Sequence, residues 1–515
     1  MRLSTLLAPT SRNNPGKVKD RAVIALVKGG YALYEAASDK LLFLPLGQVA
    51  LENVFDLFDD LCRHDGAQSI DSGGHPQGAL AVAARVVKQA EQLPLTLFDR
   101  QGRCLELLRL DAEQSGEEKT SLLGLLRNEL EERGLDPVLI EEPHSSGSRL
   151  RLALRGSEKA RNAIDGLACP HCGWGGTAHS PAGQRQGEPM EPSLSLEEAH
   201  TPGADTIAEL CRQLDVPPER TLKTMFYAVE KGADRDVVVV LMRGDCKISN
   251  AKVAAFFGAD SVRFATPVEL HETMGTLGGY LGPVGLPEGV TIVADENVVA
   301  IADVAVGANK PDHHLTGAAW GRDFKATAVA DLLALEVGQP CPTCGAALEE
   351  ACWRVVADVT PLKDLPEGID ITYRGEDRKP HRPDLLRGHL DGEALLLALF
   401  DGQSPWLPLD LAPFQILVTP WGEPESPSAR AAESLEESLT EAGFAVLHDD
   451  RFAKTAVREA DFEGLALPIR IAVTDEGDGA RAKVRLGDEE ADLPLDDAPH
   501  ALLHLLGEPC DCTTP

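Results

Sequence analysis

Apolar and polar positions divide the chain into stretches of different period. LLFLPLG (41–47) reads as a strand and a turn. VALENVFDLFDDLC (49–62) places Val49, Val54, Leu57, Phe58 and Leu61 at helical spacing and meets a stop at Gly66, which predicts an amphipathic helix. Between 81 and 168, ALAVAARVVKQAEQL predicts a helix, and LTLFD, LELLRL, PVLIEE and LRLAL predict strands. Residues 173–203 are rich in Gly, Pro, Ser, Gln and Glu and read as a linker. A regular α/β block follows, 204–336. In it Thr206 can cap a helix that buries Ile207, Leu210, Cys211 and Leu214, and VVVVLM (237–242) and GVTIVAD (289–295) are buried strands. Residues 345–410 are less regular and rich in Pro and Asp. From Leu411 onward, FQILVTPW, ARAAESLEESLTEAG (429–443), FAVLHDD and LPIRIAV give a β-α-β-β order, which predicts a small α/β unit with a largely parallel sheet. No internal repeat is visible.

Composition narrows the class. The 515 residues suit several domains, and 43% hydrophobic with 25% charged residues excludes a wholly disordered chain. Runs such as VVVVLM are too short to span a bilayer, and MRLSTLLAPTSRNNPGK has no secretory pattern, so a cytoplasmic protein without membrane contact is expected. The net charge of −33 disfavours broad polyanion binding. The excess is uneven, however. Residues 200–336 hold 12 Lys+Arg against 19 Asp+Glu, and residues 411–515 hold 8 against 22. A local basic surface can still take a nucleic acid, with weak, salt-sensitive binding.

CPHCG (Cys169, Cys172) and CPTCG (Cys341, Cys344) are near copies. Each can bind one side of a tetrahedral Zn²⁺ through two thiolates, with Pro and Gly favouring the tight turn. Together they predict a structural zinc ribbon whose knuckles are separated by an inserted domain. Two unrelated thiol pairs, or a site without its metal, are the alternatives. Cys510 and Cys512 read as incidental.

Five segments of the inserted block, HTPGADTIAELCRQLDVPPERTLKTMFYAV (200–229), VVLMRGDCKISNAKV (239–253), GGYLGPVGLP (278–287), VADENVVAIADVAVGANKPDHHLTGAAWGRDF (293–324) and VGQPCPTCG (337–345), resemble in order the editing insertion of bacterial-type prolyl-tRNA synthetase. The flanks resemble the same class II family. MRLSTLLAPT and LLFLPLGQVALENVFDLFDDLCRHDGAQ are similar to its amino terminus and motif 1 helix. LAPFQILVTP, TEAGFAVLHDDR and LALPIRIAV are similar to its anticodon-binding domain. The resemblance implies hydrolysis of alanine wrongly attached to proline tRNA, because a proline pocket cannot strongly reject a smaller apolar amino acid. It places the editing lysine on Lys223, between Thr221 and Thr224. The glycine–proline loop falls on Gly279, Gly282 and Pro283, the pocket acid on Asp295, and the pocket histidine on His314 with His313 beside it. In that scheme Lys223 neutralises a terminal phosphate, the loop's N–H groups meet the ester carbonyl, and the tRNA's own hydroxyl activates water. Taken singly, each residue reads more readily as a solvated charge, a turn or a core side chain, and it is their joint order and spacing that points to editing.

The activation motifs depart from the family. Where it has a motif 2 arginine ahead of Glu106, this chain has Leu105, with Arg100 and Arg103 as the substitutes at hand. SSGSRLRLAL (145–154) lacks the family's His-Glu pair, and LRGHLDGEALLLALF (386–400) keeps Gly388 and Gly392 without the motif 3 arginine. ATP-dependent prolylation is therefore expected to be lost. Arg451, Lys454 and Arg458 are the candidate tRNA contacts of the carboxyl-terminal unit, although Ala466 replaces a family glycine. Dimerisation through the motif 1 region is implied, but IDSGGHP (70–76) departs there.

The expectation is a mixed α+β, multidomain α/β fold: a class II synthetase-like antiparallel sheet, an inserted α/β editing domain and an α/β anticodon-binding-like domain. Its parts are 1–168 and 337–410 (degenerate catalytic region, with the second knuckle), 169–203 (first knuckle and linker), 204–336 (editing) and 411–515. The expected activity is deacylation of mischarged tRNA, Ala-tRNA(Pro) foremost. A working proline–tRNA ligase and a non-catalytic tRNA-binding paralogue are the alternatives.

Overall fold

The structure, a computed structural model, describes residues 1–75, 77–112, 121–183, 190–275, 280–402, 404–476, 479–486 and 489–505. Gly279, Cys510 and Cys512 lie outside them. The architecture is mixed α/β and multidomain, organised around a nine-stranded sheet. Seven strands run in the order Gln68–Ser69, Leu95–Gln101, Cys104–Asp111, Asp384–Asp391, Glu349–Leu362, Gly147–Arg155 and Val138–His144. The first two are parallel, and every later neighbour is antiparallel. Ala163–Ala168 pairs with the start of Glu349–Leu362, aligning Ala168 with Glu349, and Gly175–Gly176 adds to its other side.

One face of this sheet is covered by helices Arg21–Lys28, Pro45–His64, Ser121–Glu132 and Gly392–Asp401 through a core rich in Leu and Phe. Helix Pro45–His64 starts ahead of its apolar periodicity because Pro45 suits the first turn, where its missing N–H costs nothing. Leu46, Ala50, Val54, Phe58 and Leu61 form its buried stripe, whereas Val49 is exposed. The expected helix at ALAVAARVVKQAEQL ends at Val86 and resumes as a short turn at Ala90–Gln92. There the Gln92 side-chain oxygen accepts the N–H groups of Lys88 and Gln89 and folds the chain back. Helix Ser121–Glu132 was not legible as an element.

The irregular 345–410 stretch supplies the centre of the sheet. Strand Glu349–Leu362 buries side chains on both faces and shifts register between Val355 and Ala357, so no clean alternation marks it. On it Arg354, with a side chain 1% exposed, reaches Asp20 at 3.2 Å and Asp401 at 3.4 Å. Asp20 also caps Arg21–Lys28 by accepting the Ala22 N–H, and Asp401 accepts the Ser157 N–H. This buried cation thus ties two helices to the central strand.

Between the knuckles lies a second layered unit. Its five-stranded sheet runs Ser261–Phe264, Leu222–Lys231, Asp234–Arg243, Ile292–Asp295 and Ala328–Ala330, with the last two added in parallel. A three-stranded antiparallel sheet, Glu197–His200, His313–Ala318 and Val304–Gly307, stands beside it. Thr206 caps helix Ile207–Leu214 in a reciprocal box with Glu209, and Leu210 is its buried residue.

At the carboxyl end, Val446–His448, Ile416–Trp421 and Ile469–Glu476 are parallel, and Gly479–Leu486 and Glu489–Pro494 extend them antiparallel. The sheet is mixed, where a largely parallel one was expected. Helix Thr455–Leu465, which connects Val446–His448 to Ile469–Glu476, has too weak a stripe to be read from its apolar positions. Among the described residues, no helix is long and apolar enough to cross a membrane.

Candidate active site

A cleft of about 860 Å³ opens at the end of strand Leu222–Lys231, a size that suits a small ligand. Its walls include Lys223, Thr224, Asn250, Phe264, Tyr280 and His314. The Lys223 ammonium donates to the Cys246 carbonyl at 2.8 Å. Burial lowers its pKa, opposed by the nearby Asp245 and Glu336. The Thr224 hydroxyl is buried and has no hydrogen-bond partner among the described residues. His314 is buried, its Nδ1 lies 2.6 Å from the Thr201 hydroxyl, and its ring meets Tyr280 edge-on at 5.6 Å. Burial lowers the imidazole pKa, so the ring is neutral near pH 7.

Other sequence candidates lie elsewhere. His313 is adjacent to His314 on one strand, so it points to the opposite face. There Nδ1 lies 2.7 Å from the Pro311 carbonyl, Nε2 lies 3.6 Å from Glu198, and the ring lies tilted against His200 at 4.9 Å. The Thr221 hydroxyl donates to the Pro218 carbonyl at 2.8 Å in a fully buried position outside the cleft walls. Asp295, expected as a pocket acid, is 1% exposed and also absent from the walls. Its two oxygens accept the Asn297 N–H (3.1 Å) and the Leu332 N–H (2.8 Å), so it pins a turn to the next strand.

Gly282 differs from its expected role. A Cβ there would stand 1.8 Å from the Gly307 carbonyl oxygen, which only glycine avoids. Its N–H donates to the Asn309 side-chain oxygen at 2.8 Å and is not offered to a substrate ester. Gly282 and Pro283, both buried, therefore serve close packing. Gly279 is outside the described residues. Asn250, Phe264 and Tyr280 were missed: Phe264 lies outside the family-like segments, and Asn250 and Tyr280 lie inside them with nothing in their residue type to mark a role. Tyr280 takes a left-handed backbone (φ +55°) and donates its hydroxyl to Asp312 at 2.8 Å.

The four cysteines converge. Their Sγ atoms all lie within 4.8 Å of one another, with Cys169–Cys344 at 3.4 Å and Cys172–Cys341 at 3.7 Å. Tetrahedral thiolates about 2.3 Å from a zinc ion stand roughly 3.8 Å apart, so the set fits Zn²⁺. Each knuckle turns through a left-handed glycine, Gly173 (φ +74°) or Gly345 (φ +78°).

In the nine-stranded sheet, the face turned away from the large helical core carries Arg149, Arg151 and Arg387. Arg149 donates to the Thr360 hydroxyl at 2.9 Å, with Asp358 at 3.9 Å. Arg151 pairs with Glu142 at 2.6 Å and Arg387 with Glu106 at 2.7 Å. The two substitutes for the motif 2 arginine are also engaged. Arg100 forks onto Glu52 and lies over the Phe55 ring, and Arg103 holds Glu393 and the Leu41 carbonyl.

The carboxyl-terminal basic trio does not form a contact surface. Arg458 is buried and donates to the Pro420 and Arg451 carbonyls, and Arg451 pairs with Asp449 (2.7 Å) and Asp461 (3.0 Å). Lys454 alone of the three is exposed.

A large, mostly antiparallel sheet thus carries a module inserted between paired cysteine knuckles. A family model described as "Aminoacyl-tRNA editing domain" matches residues 201–324. The chain is 27% identical to the proline--tRNA ligase of Moorella thermoacetica over 96% of this chain and 97% of that one. More identical matches are partial. The Heliobacterium modesticaldum ligase is 32% identical over 67% of this chain and 60% of its own, and that of Burkholderia multivorans 33% over 56% and 51%. Among solved structures, Cryptosporidium parvum prolyl-tRNA synthetase complexed with halofuginone and AMPPNP aligns at TM-score 0.47 and 10% identity. It covers 95% of this chain and 77% of that chain, a likeness too loose to bear on a site. The chain is a relative of bacterial-type prolyl-tRNA synthetase that carries the editing domain.

Proposed function

We propose that this protein hydrolyses mischarged tRNA, alanyl-tRNA(Pro) foremost, and has given up ATP-dependent charging. The observation that supports it is a contrast. The editing-domain cleft gathers Lys223, Thr224 and His314, whereas Arg149, Arg151 and Arg387 on the outer face of the large sheet lie against the chain's own carboxylates. A guanidinium that grips a triphosphate has to be free to fork onto its oxygens. In the reaction, water adds to the ester carbonyl, the acyl–oxygen bond to the ribose breaks, and free amino acid and a ribose hydroxyl result. Lys223 supplies the cation for the terminal nucleotide's phosphate. His314, neutral and fixed by Thr201, walls a pocket that admits a small side chain. The Gly282 amide takes no part, and the ribose's neighbouring hydroxyl carries the water's proton. The four-cysteine site holds a structural zinc at the root of the inserted module, and we read Thr221 and Asp295 as supports of the cleft.

Purified protein incubated with alanyl-tRNA(Pro) should release alanine faster than buffer. Lys223→Ala should slow release about 10- to 100-fold, the worth of one charge-assisted contact. No acceleration over buffer, or an unimpaired variant, refutes the reading. A second reading, a working ligase, is favoured by relatives named proline--tRNA ligase that align over most of the chain. Proline-dependent ATP–pyrophosphate exchange would establish it.

A further inference from the structure

The strand that carries Lys223 is only partly covered along its outer edge. Its neighbour Ser261–Phe264 pairs with Tyr227–Glu230 and stops there. The Ala265 N–H donates to the Phe226 carbonyl, so backbone groups of the even-numbered residues face this side. Toward the strand's start, Thr221 bridges to Ala305 of strand Val304–Gly307, and Thr224 turns its N–H and C=O to the short gap left between that bridge and Ser261–Phe264. Its orphaned hydroxyl belongs to the same residue. The cleft lies along this edge.

At the end of the open edge stands Phe264. It lines the cleft and is 58% exposed. The ring is not loose. It rests on the Tyr227 ring at 5.0 Å between centroids, and Tyr227 is buried with its hydroxyl donated to Asn250 at 3.0 Å. An aromatic ring supported from behind, open in front and level with a lysine-bearing cleft is the arrangement that stacks a nucleobase.

We infer that Phe264 is the platform for the terminal adenine of the substrate. The aminoacyl-ribose then runs inward along the open edge toward Thr224 and Lys223. This rests on the deacylase reading and deepens it by naming the subsite for the nucleoside. The amino acid is recognised in the cleft and the base at its mouth, so affinity for the nucleoside resides in a different residue from acyl selectivity. A cleft of about 860 Å³ has room for an aminoacyl-adenosine.

The test uses the full chain and a non-hydrolysable probe, adenosine carrying alanine through a 3′-amide, with alanine amide as the fragment lacking the nucleoside. Phe264→Ala should weaken binding of the adenosine probe about 5- to 150-fold. It should leave alanine amide and the thermal unfolding profile unchanged, because the ring is largely exposed. Phe264→Trp should restore the adenosine probe. If the wild type hydrolyses alanyl-tRNA(Pro) but Phe264→Ala binds the adenosine probe as wild type does, the platform is wrong and the deacylase reading stands. If the wild type neither hydrolyses the tRNA nor binds the probe, both fall.

Discussion

Removing the metal from the four-cysteine site should loosen the root of the inserted module without unfolding the sheet beneath it. In a free chain, joining residues 172 and 341 closes a loop of 169 residues, worth about 5 kcal/mol of chain entropy. Here that loop is already closed, because Ala168 pairs with Glu349 immediately outside the knuckles. The metal adds only two short closures, a single step before Cys169 and a few residues after Cys344, so its share of global stability should be about 1 kcal/mol. What it should hold is local: the turns at Gly173 and Gly345 and the packing of buried Cys169 and Cys341. The perturbation is Cys344→Ser or chelation of protein purified under reducing conditions, and the readouts are metal content by mass spectrometry and amide hydrogen exchange. About one zinc per chain is expected in the wild type and none in the variant. Exchange should quicken at residues 169–176 and 341–348, with strand Glu349–Leu362 protected as before. Cooperative loss of protection across the nine-stranded sheet would refute the loop argument. Wild-type protein free of metal would refute the site.

Two further outcomes follow from buried charge and burial of an imidazole. Arg354→Met should lower stability by about 3–5 kcal/mol, because Asp20 and Asp401 lose their shared cation in a site closed to water. Adding Asp401→Asn should recover part of the loss, and urea midpoints would show neither effect if the cluster contributed nothing. The depressed His314 pKa makes the folded state lose stability as pH falls below about 6.5, where the unfolded imidazole takes up a proton more readily. Thermal unfolding between pH 7.5 and 5 should therefore be less pH-dependent in His314→Gln, and parallel curves would contradict the assignment.

The sequence was most informative where one physical signal dominates. Helix Pro45–His64 and strand Asp234–Arg243 show in their apolar spacing, and the capping box at Thr206 shows in residue types three apart. Strand Glu349–Leu362 was not legible, because its register shift between Val355 and Ala357 breaks the alternation and Asp358 takes its partners, Arg149 and His389, from strands far off in sequence. At the cleft, Lys223, Thr224 and His314 were legible through family resemblance and are brought together. The same resemblance put Asp295 and Thr221 at the pocket, but they stand outside the cleft walls. That their oxygens are consumed by backbone partners depends on turns no local pattern specifies. Arg458 looked like a surface base for the same reason: sequence shows a charge but not the two carbonyls that enclose it.

The large sheet has a further consequence for how such a protein can change over time. Its large helical core rests on one face, and the Arg151–Glu142 and Arg387–Glu106 pairs lie on the other beside a smaller apolar cluster under helix Gly78–Val86. Altering those pairs leaves the large core in place. A scaffold built this way can exchange phosphate-gripping groups for internal salt links without forfeiting its fold. A protein can thus shed one chemistry while the frame that presents another to RNA stays standing.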